Sequence, residues 1–204
     1  MPRSAMLALL LALWTVGPLA VSLQAAELSP DTDPRLLTLE SSDLGSGYRL
    51  NLEQSGPRPN EASPREDFQR YQQWGRVSGY SVQFEREGSS LVAAPETRVV
   101  IHTVSLYRTA SGAQAALDYS RQRNGQALEV LSIPPVGEAS LAFRLRQPAS
   151  QDAATSSGLG MEAVVIQFRQ GNVVESVIVS GLEGSPALTE AVALAQLAAS
   201  RLPN

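Results

Sequence analysis

One histidine and no cysteine occur in 204 residues, so few side chains here can act as base or nucleophile. The lack of Cys removes disulfides, thiolate nucleophiles and zinc–thiolate sites together. A Ser-His-Asp arrangement would have to use His102. That residue alternates with Val100, Val104 and Leu106 in a β-type run, which turns its ring toward a core as a hydrogen-bonded residue rather than a base. There is no Gly-x-Ser-x-Gly elbow, and Gly45-Ser46-Gly47 precedes a strand, not the helix whose N–H groups a phosphate cradle needs. Acids such as Glu85, Glu129, Glu138, Glu162 and Glu175 are scattered along the chain, without the clustering that a carboxylate metal site requires. No catalytic residue, metal site or cofactor is expected. The enzymatic alternative is a carboxylate-dependent hydrolase in which Glu85, Glu162 or Glu175 meets a second acid in a closed pocket.

The chemistry that remains is recognition by one face of a sheet. Met161–Gly181 holds two runs rich in β-branched residues, broken by Gly171-Asn172, a two-residue hairpin signal. A two-residue loop sets Gln170 against Val173, Phe168 against Glu175, Ile166 against Val177 and Val164 against Val179, an apolar face. The other face pairs Arg169 with Val174 and Gln167 with Ser176 and is mixed. Neighbouring runs extend the pattern. Tyr80, Val82 and Phe84 oppose Ser81, Gln83 and Glu85, and Val100, Val104 and Leu106 oppose Thr103, Ser105 and Tyr107. In Ala139–Arg146, Ala139, Leu141, Phe143 and Leu145 are expected inward and Ser140, Ala142, Arg144 and Arg146 outward. The candidate binding residues on the polar face are Tyr107, Arg144, Arg146, Gln167 and Arg169, with the three guanidiniums as donors to an anionic ligand or an envelope partner.

Helices must cover the apolar face. Ser63, Pro64 and Glu66 read as a capping box opening a helix to Trp74, with Phe68, Tyr71 and Trp74 on one side as a core stripe. Ser111 and Gln114 read as a second capping box, with Ala113, Ala116, Leu117 and Ser120 on the buried side until Asn124-Gly125. Ser185-Pro186 opens the last helix, whose stripe is Leu188, Ala191, Val192, Ala195, Ala198, Ala199 and Leu202. Short strands are expected at Tyr48–Leu52 and within Gln126–Pro135, with a loop over Glu53–Ala62 and a mobile hairpin loop over Gln147–Gly160. Val82–Arg121 and Val165–Leu202 echo one another as strand, strand, Ala-rich helix. The expected fold is α+β: a single antiparallel sheet of about five or six strands, built from two ββα-like units, with helices packed on one face.

Composition agrees with export. Met1–Ala26 reads as a signal peptide, with Arg3 before an apolar run and Gly17-Pro18 before a small-residue exit. Cleavage fits after Ser22, Ala25 or Ala26; in an uncleaved chain this segment would be the contact with a membrane. Residues 27–35 read as a flexible lead-in and 36–204 as one domain. All sixteen basic residues are Arg and the net charge is −4, so no basic field favours nucleic acid. An exported chain without Cys fits the bacterial envelope, secreted or periplasmic.

Ser42-Asp43-Leu44 with Gly47-Tyr48, the run Trp74–Tyr80, and Phe168–Val174 resemble stretches of exported actinobacterial-type and Chloroflexi-type proteins of unknown function. The chain also resembles envelope lipoproteins and extracellular kinase sensor domains with helix-on-sheet folds related to the PsbP/Mog1 type, although the lipoprotein Cys is missing. The resemblance implies a non-enzymatic binding or sensing module whose ligand is unknown. A structural envelope protein that self-associates through the polar face is the other alternative.

Overall fold

The computed structural model describes residues 25–86, 97–147 and 160–203. Most of the expected signal segment, the connection around Gly88–Pro95 and most of the expected mobile loop after Gln147 lie outside the described residues. In chain order the elements are β1 (Tyr48–Leu50), β2 (Gly56–Pro57), α1 (Arg65–Gln73), β3 (Arg76–Arg86), β4 (Thr97–Tyr107), α2 (Ala110–Gly125), β5 (Glu129–Val130), β6 (Ala139–Gln147), β7 (Met161–Gln170), β8 (Val173–Leu182) and α3 (Ala187–Ser200). The strands form one sheet in the order β1-β3-β4-β8-β7-β6-β5, with β2 also on β3, and every pairing is antiparallel. Eight strands replace the expected five or six. The surplus is in short edge pieces, such as β2 at Ser81 and Tyr80, where two residues are too few to leave a periodic pattern.

The β7–β8 hairpin has the register that a two-residue turn dictates, with Gln170 opposite Val173, Phe168 opposite Glu175 and Val164 opposite Val179. Gly171 supplies φ +55°, and a Cβ there would stand 2.8 Å from the carbonyl oxygen of Ala26. Asn172 locks the turn by accepting from Leu28 N (2.8 Å) and donating to Tyr107 O (2.8 Å) and Leu28 O (2.9 Å). The two ββα units meet at the central β4–β8 pairing, with Val100 opposite Val179 and Val104 opposite Glu175.

Helices lie on both faces, which corrects the one-sided arrangement. On the first face Val100, Val104, Val164, Ile166, Phe168, Val177 and Val179 are fully buried beneath Ala191, Ala195 and Ala198 of α3 and beside Leu39 and Leu44. Alanine at these positions lets α3 lie close to the sheet. Arg201, just past α3, donates to Thr38 O (3.1 Å) and pairs with Asp43, tying Pro34–Leu44 to the same layer. On the second face Tyr107 and Val174 pack with Ala113 and Ala116 of α2 and with Trp74. These apolar residues need cover, and that draws α2 to the opposite side from α3.

Three local expectations change. Strand β6 is reversed: Ala142 pairs with Ile166 and Phe143 with Val165, so Ala142 and Arg144 face α3 while buried Phe143 lies on the second face. Helix α1 starts after Pro64 without a side-chain cap, and α2 is capped by Thr109, whose hydroxyl accepts from Gly112 N at 3.1 Å. In α3 the buried stripe is centred on Leu194 and Ala195, with Leu188 and Val192 only partly covered.

At the β1 end, Tyr48 shares its hydroxyl with Thr97 (2.7 Å) and donates to Glu190 of α3 (3.0 Å). Burial first, reinforced by the Glu190 carboxylate, pushes this phenol from 10 up to about 12. Because the folded value is raised, stability is retained below about pH 10 and drains away as pH rises toward 12. A spectrophotometric titration of Tyr48→Phe is expected to lack a late phenolate step and to show shallower alkaline destabilisation. Phe168→Ala, which empties a fully buried ring site, should lower the urea-unfolding free energy by about 3–5 kcal/mol.

Candidate functional site

A groove of about 410 Å³ runs between the second face of the sheet and helices α1 and α2. Strand parity makes its floor: Thr103 and Ser105 of β4, Gln167 of β7 and Ser176 of β8 all face this side. The walls come from Asp67, Tyr71 and Trp74 at α1 and from Tyr119, Ser120 and Arg123 on α2. Helix α1 contributes no buried residue and is held over the groove by polar and ring contacts. Trp74 lies 5.4 Å from the Tyr119 ring, Arg70 stacks 4.4 Å above Tyr119, and Asp67 pairs with Arg123 at 3.5 Å. Gly112 lets α2 approach the end of α1, since a Cβ there would meet Trp74 O at 2.0 Å.

Arg76 braces two of the lining residues, Ser105 and Tyr71. Its guanidinium is buried and donates to Ser105 Oγ (3.2 Å), Arg58 O (2.8 Å) and Asn60 Oδ1 (2.6 Å), and it stacks 4.8 Å above Tyr71. Burial lowers its pKa. Tyr107 beneath α2 is also buried, which raises its phenol far above the usual range. Ser81 and Thr103 share a hydrogen bond of 2.9 Å. Gln167 Oε1 is enclosed beneath the groove floor and has no partner in the protein.

The five candidate residues are thereby divided. Tyr107 and Gln167 border the groove. Arg169, on the same face, bonds Gln114 Oε1 (2.9 Å) and Gly171 O (2.9 Å) and pairs with Glu138. Arg144 and Arg146 emerge on the α3 side, where Arg144 meets Glu129 (3.1 Å) and Glu162 (3.8 Å) and Arg146 meets Glu129 (3.7 Å). The three guanidiniums expected to act as one donor set therefore stand on two faces, each beside a carboxylate. The residues that sequence reasoning missed are mainly helical. Tyr119 and Arg123 share one stripe at helical spacing on α2 with Ala116 and Ser120, which the sequence marks only as a buried side, and the sequence marks Tyr71 and Trp74 only as core.

His102 is fully buried, as its alternation required. Its Nδ1 accepts from Leu39 N at 3.0 Å and its Nε2 stands 3.0 Å from Glu175 Oε2. With Nδ1 occupied as an acceptor, the ring proton belongs on Nε2 and is donated to Glu175. Glu175 Oε1 is buried without a partner. Glu162 accepts from Ser185 Oγ (3.4 Å) as well as facing Arg144. Glu85 is exposed and accepts from Asn51 (2.7 Å) and Gln83 (2.8 Å), and these bonds lower its pKa. The contacts of these three acids are with His, Arg, Ser, Asn and Gln, not with a second carboxylate. Among the described residues no three His, Asp or Glu side chains gather as a metal site, and no helix is long and apolar enough to cross a membrane.

No protein-family model and no curated protein matches the chain by sequence. Among solved structures it is similar to the extracellular domain of PknH from Mycobacterium tuberculosis, with a TM-score of 0.53 and 15% identity over 82% of this chain and 94% of that one. At that identity the likeness is one of fold: a single antiparallel sheet with helices.

The buried pair yields a double-mutant test. His102→Ala strands the Glu175 carboxylate and the Leu39 N–H, and should cost about 3–5 kcal/mol of unfolding free energy. His102→Leu combined with Glu175→Leu should recover most of that loss in urea denaturation; equal damage from the double variant would count against the pairing.

Proposed function

We propose that this chain is an extracytoplasmic binding or sensing domain of the bacterial cell envelope, and that it takes a small ligand in the groove between α1, α2 and the sheet. The observation that carries this is a groove of about 410 Å³ in which the rings of Tyr71, Trp74 and Tyr119 stand over a floor of Thr103, Ser105, Gln167 and Ser176. A volume above roughly 300 Å³ suits a small molecule. Tyr71, Trp74 and Tyr119 would pack against the ligand, with Thr103, Ser105 and Gln167 fixing its orientation. The export-type N-terminus and the fold shared with an extracellular domain support the location.

The hydrolase alternative gains nothing from the acids, since neither Glu162 nor Glu175 has another carboxylate as its partner. Self-association through the second face would have to use a surface that α1 and α2 already overlie.

Thermal melts in the presence of a fractionated envelope extract test the reading. A fraction that binds at about a hundred times its Kd should stabilise the wild-type domain by about 2.7 kcal/mol. Tyr119→Ala is expected to lose most of that shift while retaining its own cooperative transition. An extract that raises the melting temperature of both proteins equally would move the site away from the groove.

A further inference from the structure

We infer that helix α1 is a lid on this groove, fixed at its Trp74 end and clasped to α2 by Asp67 and Arg70. This rests on the groove being the binding site and adds how a ligand reaches it.

The clasp stands between two cavities. A second cleft, of about 510 Å³, opens between the N-terminal half of α1 and α2, lined by Pro64, Arg65, Glu66, Asp67, Tyr119 and Arg123. Asp67, Tyr119 and Arg123 also line the groove. The contact among these three side chains therefore lies between the outer cleft and the sheet floor, and parting them joins the two spaces.

The two helices that meet there are held unequally. Helix α2 is rooted, with Ala113 and Leu117 buried and its first N–H groups, on Ala110 and Gly112, bonded to Glu27 and Thr109. Helix α1 has nine residues and none of them is buried; so short a helix is marginal without packing. Its C-terminal end is nevertheless fixed. Trp74 packs with Tyr107, Ala113 and Ala116, Tyr71 lies under the Arg76 guanidinium, and Gly75 O accepts from Arg108 N at 2.9 Å. Upstream, Asn60 exchanges hydrogen bonds with Arg76.

Between these anchors the attachment to α2 is made by charge. One oxygen, Asp67 Oδ1, stands 3.4 Å from Arg70 Nη1 and 3.5 Å from Arg123 Nη1, and Arg70 lies over the Tyr119 ring. Ion pairs and cation–ring contacts at the surface are individually weak, and salt screens them. Asp67 decides the state, because it draws together two guanidiniums that repel one another without it. Its release would also uncover the Tyr119 face that Arg70 occupies, which a ligand packing on that ring needs.

The chain has no cysteine, so one introduced thiol reports access to the floor. Ser176→Cys places it on β8 inside the groove, and Glu53→Cys, at an exposed position, is the reference. Labelling of the full chain by N-ethylmaleimide, an uncharged reagent, is followed as the ratio of the two rates, with urea midpoints measured to separate lid opening from global unfolding. Asp67→Asn should raise that ratio about threefold or more. Raising NaCl from about 50 to 500 mM should raise it in the Asp67 chain and not in Asp67→Asn. Asp67→Glu, which keeps the charge, should stay close to the parent.

A ratio that neither Asp67→Asn nor salt alters overturns the lid and leaves the groove as the site. A rise that Asp67→Glu reproduces in full overturns the assignment of the clasp to the Asp67 charge. An envelope extract that stabilises wild type and Tyr119→Ala alike overturns the groove itself, whatever the labelling rates.

Discussion

The register between β4 and β8 at the centre of the sheet is the constraint on which everything else hangs. Side chains alternate along a strand, and directly paired residues share a face, so one register fixes the facing of every residue in the central strands. Pairing Val104 with Glu175 and His102 with Val177 sends Val100, Val104, Val177, Val179, His102 and Glu175 to the α3 side. Thr103, Ser105, Tyr107, Val174 and Ser176 go to the other. A slip of one residue would bury the hydroxyls and expose Val177 and Val179. The Gly171-Asn172 turn protects against that slip, because Asn172 bonds both the end of β4 and the incoming segment at Leu28.

The α3 side is a mainly apolar core with His102 and Glu175 inserted at its centre. His102 bridges Leu39 N and Glu175, so the segment Pro34–Leu44 is fastened to the middle of the sheet by a directional bond as well as by burial of Leu39 and Leu44. Buried polar pairs contribute little net stability compared with apolar packing, but they penalise misplacement heavily. That asymmetry suits an insertion that fixes where a short, otherwise irregular segment lies. Arg201 with Asp43 and Thr38 repeats the arrangement at the end of α3.

The opposite side is built differently. Its apolar centre, Tyr107 and Val174, is covered by the small residues Ala113 and Ala116, and α2 can therefore sit low. Where the floor turns polar, α2 carries Tyr119, Ser120 and Arg123 instead, and α1 reaches across through ring and charge contacts. The space between is the groove. It exists because hydroxyl and amide side chains cannot be covered by an aliphatic helix without loss of hydrogen bonds, so the helices bridge it rather than fill it.

The sequence by itself determined the long strands, the hairpin register and the inward facing of His102. Each of these follows from local alternation or from the backbone needs of a two-residue turn. It also placed the three helices to within a few residues, since an apolar stripe and a Pro or Gly at its ends are short-range signals. Tertiary structure decided which face each helix covers, the reversed parity of β6 and the separation of Arg144 and Arg146 from Arg169. In β6 both parities carry apolar residues, Ala142 on one and Phe143 on the other, so only pairing with Ile166 and Val165 could choose. The groove was illegible for a related reason. Its walls come from α1 and α2 and its floor from β4, β7 and β8, and no spacing along the chain encodes which residues will face one another once separate elements have packed.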